Sequence, residues 1–217
     1  MIHLKRLNTT FITIPKVASR SLKFFLIENC VQSDDIVAPL RLRPTEKVSI
    51  QKLTLGPTPR EGRGKYYHLN FDGKPYSGHL KLKGIIKHGL SDIDTRFIAI
   101  VRNPLDWYLS TLLSTRENKL LHYFDYISFD GRQMSELWTL DYLRMHLIRF
   151  CQHHKIDIKY DLQHKHKYIH PVHKKMLDWS FYLKDRKKDL VTNVEKSQDM
   201  EIYMQALEKD RKLFGPQ

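Results

Sequence analysis

The sequence is poor in cysteine, in long apolar runs and in the features of a secretory signal. Its two cysteines, Cys30 and Cys151, have no nearby thiol or metal-ligand spacing, so we expect them to pack in a core without disulfides. The longest uninterrupted apolar run, Phe97 to Val101, is too short for a membrane helix. Met1 to Arg6 lacks the apolar stretch of a signal peptide, which favours a cytoplasmic protein with no membrane partner.

The composition is that of a basic globular protein. A chain of 217 residues is typical of one domain, here 1–217, that buries about 70% of its unfolded surface. The 37 Lys and Arg against 24 Asp and Glu leave a formal charge of +13. This charge predicts a surface that attracts polyanions or several phosphates at once. Charge alone leaves nucleic acid, acidic glycan and nucleotide open.

Two segments predict a strand, a loop and a helix in succession. In the first, the β-branched and aromatic run Thr10 to Ile14 stops at Pro15, which suits a buried strand before a loop. A helix capped by Ser19 or Ser21 is expected next. Its apolar residues recur at helical spacing: Leu22, Phe25, Leu26 and Cys30.

The second unit begins at Arg96 to Val101, a largely apolar run typical of a strand buried on both faces of a parallel sheet. Asn103 is a good N-cap, and Pro104 suits the first helical position. The helix that follows carries an apolar stripe: Trp107, Tyr108, Leu112 and Leu113.

The remaining segments complete an α/β pattern. Prolines and glycines interrupt residues 33–75, where we expect an irregular excursion with short extended pieces at Val48–Leu55 and Tyr66–Phe71. Further elements are predicted as helices at Met134–Gln152, within Asp161–Trp179 and at Ser197–Phe214, and as a strand at Leu190–Val194. Strands alternating with helices predict a three-layer parallel sheet flanked by helices, with ligands at the carboxyl ends of the strands.

The first loop, Pro15 to Ser21, has the components of a phosphate-binding site. It combines a lysine, two serine hydroxyls and backbone N–H groups at the positive end of the following helix. It contains no glycine, whereas the standard P-loop requires G-x-x-x-x-G-K-S/T. A nucleotide kinase or ATPase is therefore disfavoured.

Both loops resemble the cofactor motifs of one enzyme family. Ile14 to Leu22 is similar to the 5′-phosphosulfate loop of the sulfotransferases that use 3′-phosphoadenosine 5′-phosphosulfate (PAPS), whose pattern is about P-K-T/S-G/A-S/T-S/T-S. Val101 to Ser110 resembles the family's 3′-phosphate motif, R-D/N-P-x-x-R-x-x-S, with Arg102 and Ser110 at the required separation of eight. The two motifs occur in the family's order, each after a predicted strand.

Two shorter matches extend the resemblance. Tyr76 to His79 precedes the second strand, where sulfotransferases acting on glycosaminoglycan uronic acids, and relatives, place a Gly-His whose imidazole is the catalytic base. Leu190 to Met200 resembles the family's late strand followed by a glutamate and a helix, with Glu195 at the glutamate position. The matches touch most of the chain but are weak between Ser33 and Pro75.

The resemblance implies a P-loop NTPase-like sulfotransferase fold and transfer of a sulfuryl group from PAPS to a hydroxyl, most plausibly on a glycan, without a metal or a nucleic-acid partner. Lys16 would offset charge on the oxygen between sulfur and phosphate, and His79 would accept the hydroxyl proton. Arg102 would clamp the 3′-phosphate with the help of Ser110. The residues implied to bind the cofactor are Lys16, Val17, Ala18, Ser19, Arg20, Ser21, Arg102 and Ser110.

The sequence departs from the family pattern at three positions. Arg20 stands where Thr or Ser is usual, and its guanidinium either reaches the phosphosulfate or points to solvent. Asn103 replaces the common Asp and keeps an N-cap. Trp107 replaces a frequent Arg and supplies no cation at that position.

Other interpretations stay open. The alternative candidates for the base are His68, His88 and His122, and less favourably Asp92 or Asp94. His164, His166, His170 and His173 have partly helical spacing, but Pro171 and adjacent lysines disfavour a metal site there. A non-catalytic protein of the same fold that binds nucleic acid or acidic glycan is the main functional alternative. A kinase-like phosphotransferase is the third.

Overall fold

The computed structural model describes most of the chain. The described residues are 1–41, 53–56, 65–72, 79–115, 122–133, 135–162, 194 and 197–216. The strands are β1 (Ile2–Leu4), β2 (Thr9–Ile12), β3 (Ile36–Arg41), β4 (Thr54–Gly56), β5 (Tyr66–Leu69), β6 (Arg96–Val101), β7 (Ser128–Phe129), β8 (Arg132–Gln133) and β9 (Ser135–Thr139). The helices are α1 (Ser19–Asn29), α2 (Leu82–Lys87), α3 (Pro104–Thr115), α4 (Phe124–Ile127), α5 (Leu143–His153) and α6 (Gln198–Phe214), with a 3-10 turn at Lys5–Leu7.

Among the described residues, seven strands form one mixed sheet flanked by helices, in the order β4-β5-β3-β1-β2-β6-β9. The α/β class is confirmed, but the prediction of a parallel sheet is wrong outside β2, β6 and β9. Strand β1 pairs antiparallel with both β2 and β3, and β5 pairs antiparallel with β3 and β4. The cause at β1 is a tight reversal through Lys5–Leu7 and Asn8, whose φ of 43° turns the chain back on itself.

The parallel part of the sheet brings the two predicted loops together. Strand β2 pairs parallel with β6, with Thr9 opposite Arg96 and Ile12 opposite Ala99. The carboxyl ends of both strands therefore lie at one edge of the sheet, and the loops that begin at Thr13 and Arg102 leave from that edge. Strand β9 continues this arrangement, since Thr139 lies opposite Val101 at the end of β6.

The elements with strong local patterns were predicted well. Strand β6 and helix α3 are confirmed, and so is the C-terminal helix, where the Ser197 side chain accepts a hydrogen bond from the Met200 amide. The first strand is confirmed with shifted bounds, Thr9–Ile12. The predicted apolar stripe of α1 is buried: Leu22, Phe25, Leu26 and Cys30.

Other expectations were wrong or fall elsewhere. The helix predicted over Met134–Gln152 is replaced in its first part by β9, because these residues complete the ladder beside β6. In the segment 33–75, the extended piece predicted at Tyr66–Phe71 is confirmed as β5. The predicted excursion is wrong for β3, β4 and β5, which belong to the sheet. The predicted strand at Leu190–Val194 and helix within Asp161–Trp179 lie almost wholly outside the described residues.

The core lies between the sheet and its helices. Phe11 of β2 makes edge-to-face contacts with Trp138 of β9 and Phe150 of α5, at ring-centroid distances of 5.7 and 5.3 Å. Cys30 and Cys151 are both buried free thiols in this core. In the part of the chain that the structure describes, no helix has the length and apolar character needed to cross a membrane.

Candidate functional site

The loop between β2 and α1 has an uncommon backbone conformation. Lys16 and Ala18 both have left-handed φ angles, 65° and 55°, which residues with a Cβ atom rarely adopt outside constrained loops. Val17 between them is fully buried and anchors the turn, while Lys16 is exposed. The loop thus holds its lysine outward at the N-terminus of α1.

The expected cap of α1 by Ser19 or Ser21 is wrong. Ala18 occupies the N-cap position, and no side chain caps the helix there. The reason is the left-handed turn at Ala18, which starts the helix at Ser19 itself. Ser19 is half-buried and Ser21 is buried. The amides of the first turn of α1 therefore have no side-chain acceptor from the N-cap residue, and amides at a helix N-terminus favour an anion.

Arg20 is held by the edge of the neighbouring strand. Its Nη2 donates a hydrogen bond of 2.8 Å to the carbonyl oxygen of Arg41, the last residue of β3. The sequence did not predict this contact, which lies in an exposed position. Arg20 thus connects the start of α1 to the end of β3.

His79 lies against the same loop. Its Nδ1 is 2.7 Å from the carbonyl oxygen of Thr13. Because a carbonyl only accepts hydrogen bonds, Nδ1 carries the proton, and the lone pair of the neutral ring is on Nε2. In this tautomer, Nε2 is the ring nitrogen that can accept a proton.

The charge state of His79 follows from its neighbours. Desolvation lowers the pKa of its imidazole, the charges of Lys23 and Lys16 lower it further, and the hydrogen bond to Thr13 opposes them in part. His79 is exposed, so water partly screens the two lysine charges. His79 is therefore neutral at pH 7 and able to accept a proton.

The second loop, Arg102 and Asn103, begins α3 as predicted. The Asn103 side-chain oxygen accepts a hydrogen bond of 3.0 Å from the Leu105 amide, and Pro104 is the first helical residue. The Arg102 guanidinium lies 3.5 Å from the Asp106 carboxylate, and the Arg102 side chain is 33% exposed. Ser110 is half-buried one turn beyond Asp106. The i, i+4 spacing puts Arg102, Asp106 and Ser110 along one face.

Trp107 links the two loops, a role that the sequence did not predict. It is buried, and its Nε1 donates a hydrogen bond of 2.7 Å to the carbonyl oxygen of Pro15. Its ring stacks on Tyr123 with a centroid distance of 4.0 Å and an interplanar angle of 19°. The one hint in the sequence was that Trp107 stands where the sulfotransferase motif frequently has an arginine.

Tyr123 in turn holds the backbone of Arg102. Its hydroxyl donates to the Arg102 carbonyl at 2.6 Å and accepts from the Arg102 amide at 3.1 Å. Burial raises the pKa of the Tyr123 phenol, so the hydroxyl keeps its proton. The buried Asp199 of α6 accepts hydrogen bonds from the Tyr123 amide and the His122 ring, at 2.7 and 3.0 Å. No local pattern in the sequence points to these contacts between distant segments.

Lys23 adds a buried cation near His79. Its side chain is 3% exposed, and its Nζ lies 3.4 Å from the Pro39 carbonyl oxygen. Desolvation lowers its pKa to about 7, and Arg20 contributes in the same direction. A signal was present in the sequence, because Lys23 interrupts an otherwise apolar run from Leu22 to Ile27.

The alternative bases lie elsewhere. Asp92 and Asp94 precede Arg96, the first residue of β6, and so lie toward the opposite end of the strand from Arg102. His68 is in β5, separated from β2 by β3 and β1. His88 ends α2, and His122 pairs with Asp199 on the Arg102 side. His79 is the candidate placed at the lysine loop.

Three predicted features fall outside the description. Tyr76 to Gly78, Glu195 and the histidines of 164–173 all lie in segments that the structure does not describe. Within the described residues, no group of three His, Cys, Asp or Glu side chains is arranged to hold a metal ion.

Comparisons of this chain with protein-family models, with curated proteins and with solved structures return no match.

Proposed function

We propose that the protein is a PAPS-dependent sulfotransferase of the P-loop NTPase-like sulfotransferase fold, acting on a hydroxyl of a glycan. The observation that carries the proposal is the parallel pairing of β2 with β6. It brings together the two loops that resemble the family's 5′-phosphosulfate and 3′-phosphate motifs. His79, the residue at the position of the family's base, is bonded to Thr13 at the start of the first loop.

The residues present are chemically suited to PAPS. The first loop combines the exposed Lys16 with a helix N-terminus that has no side-chain cap, and both favour an anion. Arg102 is partly exposed and is paired only loosely with Asp106, at 3.5 Å. A phosphate bears more charge than one carboxylate and accepts bidentate hydrogen bonds from arginine. It is therefore expected to replace Asp106 as the partner of Arg102.

The proposed mechanism assigns each residue one task. PAPS, when bound, supplies the sulfuryl group: a bond forms from the acceptor oxygen to sulfur as the bond from sulfur to the bridging phosphate oxygen breaks. The hydroxyl proton passes to Nε2 of His79, the nitrogen left with a lone pair by the contact with Thr13. Lys16 offsets the charge that grows on the bridging oxygen. Arg102 and Ser110 hold the 3′-phosphate.

Calorimetric binding tests the cofactor assignment. The wild type is expected to bind the spent cofactor, 3′-phosphoadenosine 5′-phosphate (PAP), with micromolar affinity and adenosine 5′-phosphate much more weakly. Arg102→Ala should remove this preference. Arg144→Ala is the matched control, because Arg144 is also an exposed arginine paired with an aspartate, Asp161. If the folded wild type binds neither nucleotide, the sulfotransferase proposal is wrong and polyanion binding becomes the leading function.

A second variant tests the chemistry. His79→Ala should abolish sulfuryl transfer to a glycan acceptor while leaving PAP affinity nearly unchanged, since His79 acts on the acceptor. His88→Ala, at the exposed end of α2, should keep full turnover. Retained turnover in His79→Ala removes His79 from the base role.

A further inference from the structure

Trp107 and Tyr123 form a continuous path of contacts between the two loops. At one end, Trp107 Nε1 donates to the Pro15 carbonyl at 2.7 Å. In the middle, the two rings stack at 4.0 Å. At the other end, the Tyr123 hydroxyl bonds both the amide and the carbonyl of Arg102. Both side chains are buried, at 2% and 0% exposure, so water does not compete for these bonds.

The path is rigid at each step. Trp107 lies in the first turn of α3, where its amide bonds the Asn103 carbonyl at 2.9 Å. Tyr123 is fixed through its amide to the buried Asp199. An indole and a phenol ring each have only two side-chain torsions, so a stacked and hydrogen-bonded pair has little freedom to move. A shift of one loop is thus transmitted to the other.

We propose that Trp107 and Tyr123 are positioning residues that hold the Lys16 loop and the Arg102 loop at a fixed spacing, and so select ligands bearing two anionic groups at that spacing. This inference rests on the proposed function for the identity of the ligand. A ligand that binds at both ends gains affinity when the second contact is already in place, and it loses that gain when the spacing is uncertain. A ligand with one phosphate gains nothing from the spacing.

Hydrogen exchange tests the coupling without any ligand. Tyr123→Phe removes one oxygen next to Arg102, and Trp107→Phe removes the donor to Pro15. We expect Tyr123→Phe, which removes both hydrogen bonds to Arg102, to speed exchange of the Leu22 amide, which bonds the Ala18 carbonyl at 3.0 Å, by at least about fivefold, the factor for one of these two bonds. The matched controls are Tyr142→Phe and Trp138→Phe, which lose comparable bonds to Gly215 and Glu136. If Tyr123→Phe leaves the Leu22 amide at the wild-type exchange rate, the coupling is wrong.

Nucleotide binding tests the consequence. Adenosine 3′-phosphate and adenosine 5′-phosphate each present one phosphate, and PAP presents two. Trp107→Phe is expected to weaken PAP about tenfold and each single-phosphate ligand by less than about twofold. Equal weakening of all three ligands overturns the positioning role and assigns Trp107 to general stability.

The two experiments separate the inference from the proposed function. If Tyr123→Phe speeds exchange of the Leu22 amide but the wild type binds none of the three nucleotides, the coupling is supported and the sulfotransferase proposal is rejected. If Tyr123→Phe leaves exchange of the Leu22 amide unchanged and the wild type binds PAP, only the coupling is rejected. Thermal melting of all four variants shows which are folded, and Tyr123→Phe, the smaller change, decides the exchange test if Trp107→Phe does not fold.

Discussion

At the scale of single residues, the environment of His79 determines its protonation. The Thr13 carbonyl selects the tautomer, and desolvation followed by the charges of Lys23 and Lys16 lowers the pKa. A bound anion reverses part of this effect, because it offsets the lysine charges. In the proposed mechanism, phosphate binding would therefore make His79 a stronger base.

We expect His79 in the ligand-free protein to titrate well below the ordinary histidine value, and PAP to raise its pKa. NMR titration of the ring measures both. Lys23→Met should also raise the His79 pKa, since it removes a cation that lowers it. A ring that titrates near 6.5, the ordinary value, in the ligand-free protein contradicts the prediction.

Lys23 makes a second prediction at this scale, on stability. In the unfolded chain its pKa is 10.5, and burial lowers it to about 7 in the folded state. Between these pH values the unfolded state binds more protons, so the free energy of unfolding rises with pH. Lys23→Met should flatten this rise in urea titrations at several pH values. Lys83→Met, on an exposed face of α2, should keep it, and an unchanged slope in Lys23→Met contradicts the burial of the amine.

At the scale of elements, one carboxylate fastens the C-terminal helix to the sheet. Asp210 of α6 is fully buried and accepts hydrogen bonds from the amide and hydroxyl of Thr139, at 2.8 and 2.7 Å, and from His146 Nε2 at 2.8 Å. His146 also stacks on Trp138, at 4.6 Å. Because Thr139 ends β9 beside Val101, this contact connects α6 to the edge that carries the two loops.

We expect Asp210→Asn to lower the free energy of unfolding by about 3 kcal/mol, since it removes a buried carboxylate that accepts three hydrogen bonds and leaves buried donors unpaired. Urea unfolding measures the change. Glu208→Gln, which alters an exposed pair in the same helix, should change little. A loss in Asp210→Asn no larger than that of Glu208→Gln contradicts the anchoring role.

The same carboxylate predicts an acid dependence. Burial by itself raises the pKa of Asp210, but the bonds from His146 and Thr139 outweigh it and lower the pKa below the unfolded value of 3.8. The contribution of Asp210 to the free energy of unfolding is therefore complete above pH 3.8 and is lost as the pH falls through the pKa of the folded state. Asp210→Asn should remove this part of acid unfolding.

At the scale of the whole molecule, the formal charge of +13 favours binding of any polyanion, whereas the proposed site at the two loops would select a particular spacing of phosphates. Salt weakens the first effect strongly, because nonspecific binding depends on released counterions. The melting temperature of the protein with different ligands therefore distinguishes binding by general positive charge from binding at the proposed site.

PAP at about 100 times its dissociation constant should stabilise the protein by about 2.7 kcal/mol, which corresponds to about 5 to 10 °C for a chain of this size. Arg102→Ala should abolish this shift in calorimetric melting. Heparin, as a general polyanion, should stabilise wild type and Arg102→Ala equally and lose its effect at high salt. A PAP shift that Arg102→Ala retains contradicts the assignment of the 3′-phosphate to Arg102.

Local patterns in the sequence determined the elements that carry the candidate site. The apolar run of β6, the cap and proline at Asn103 and Pro104, and the stripe of α1 each depend on neighbouring residues, so they are predictable from one segment at a time. The carboxyl-edge position of both loops followed from the same patterns.

Only the tertiary structure decided how these parts meet. The antiparallel pairing of β1, the strand at β9 and the bond from Arg20 to Arg41 arise from partners elsewhere in the fold. The path from Pro15 through Trp107 and Tyr123 to Arg102 joins residues far apart in the chain. Such contacts leave no periodic signal in any one segment, because burial and hydrogen-bond partners are set when distant segments pack together.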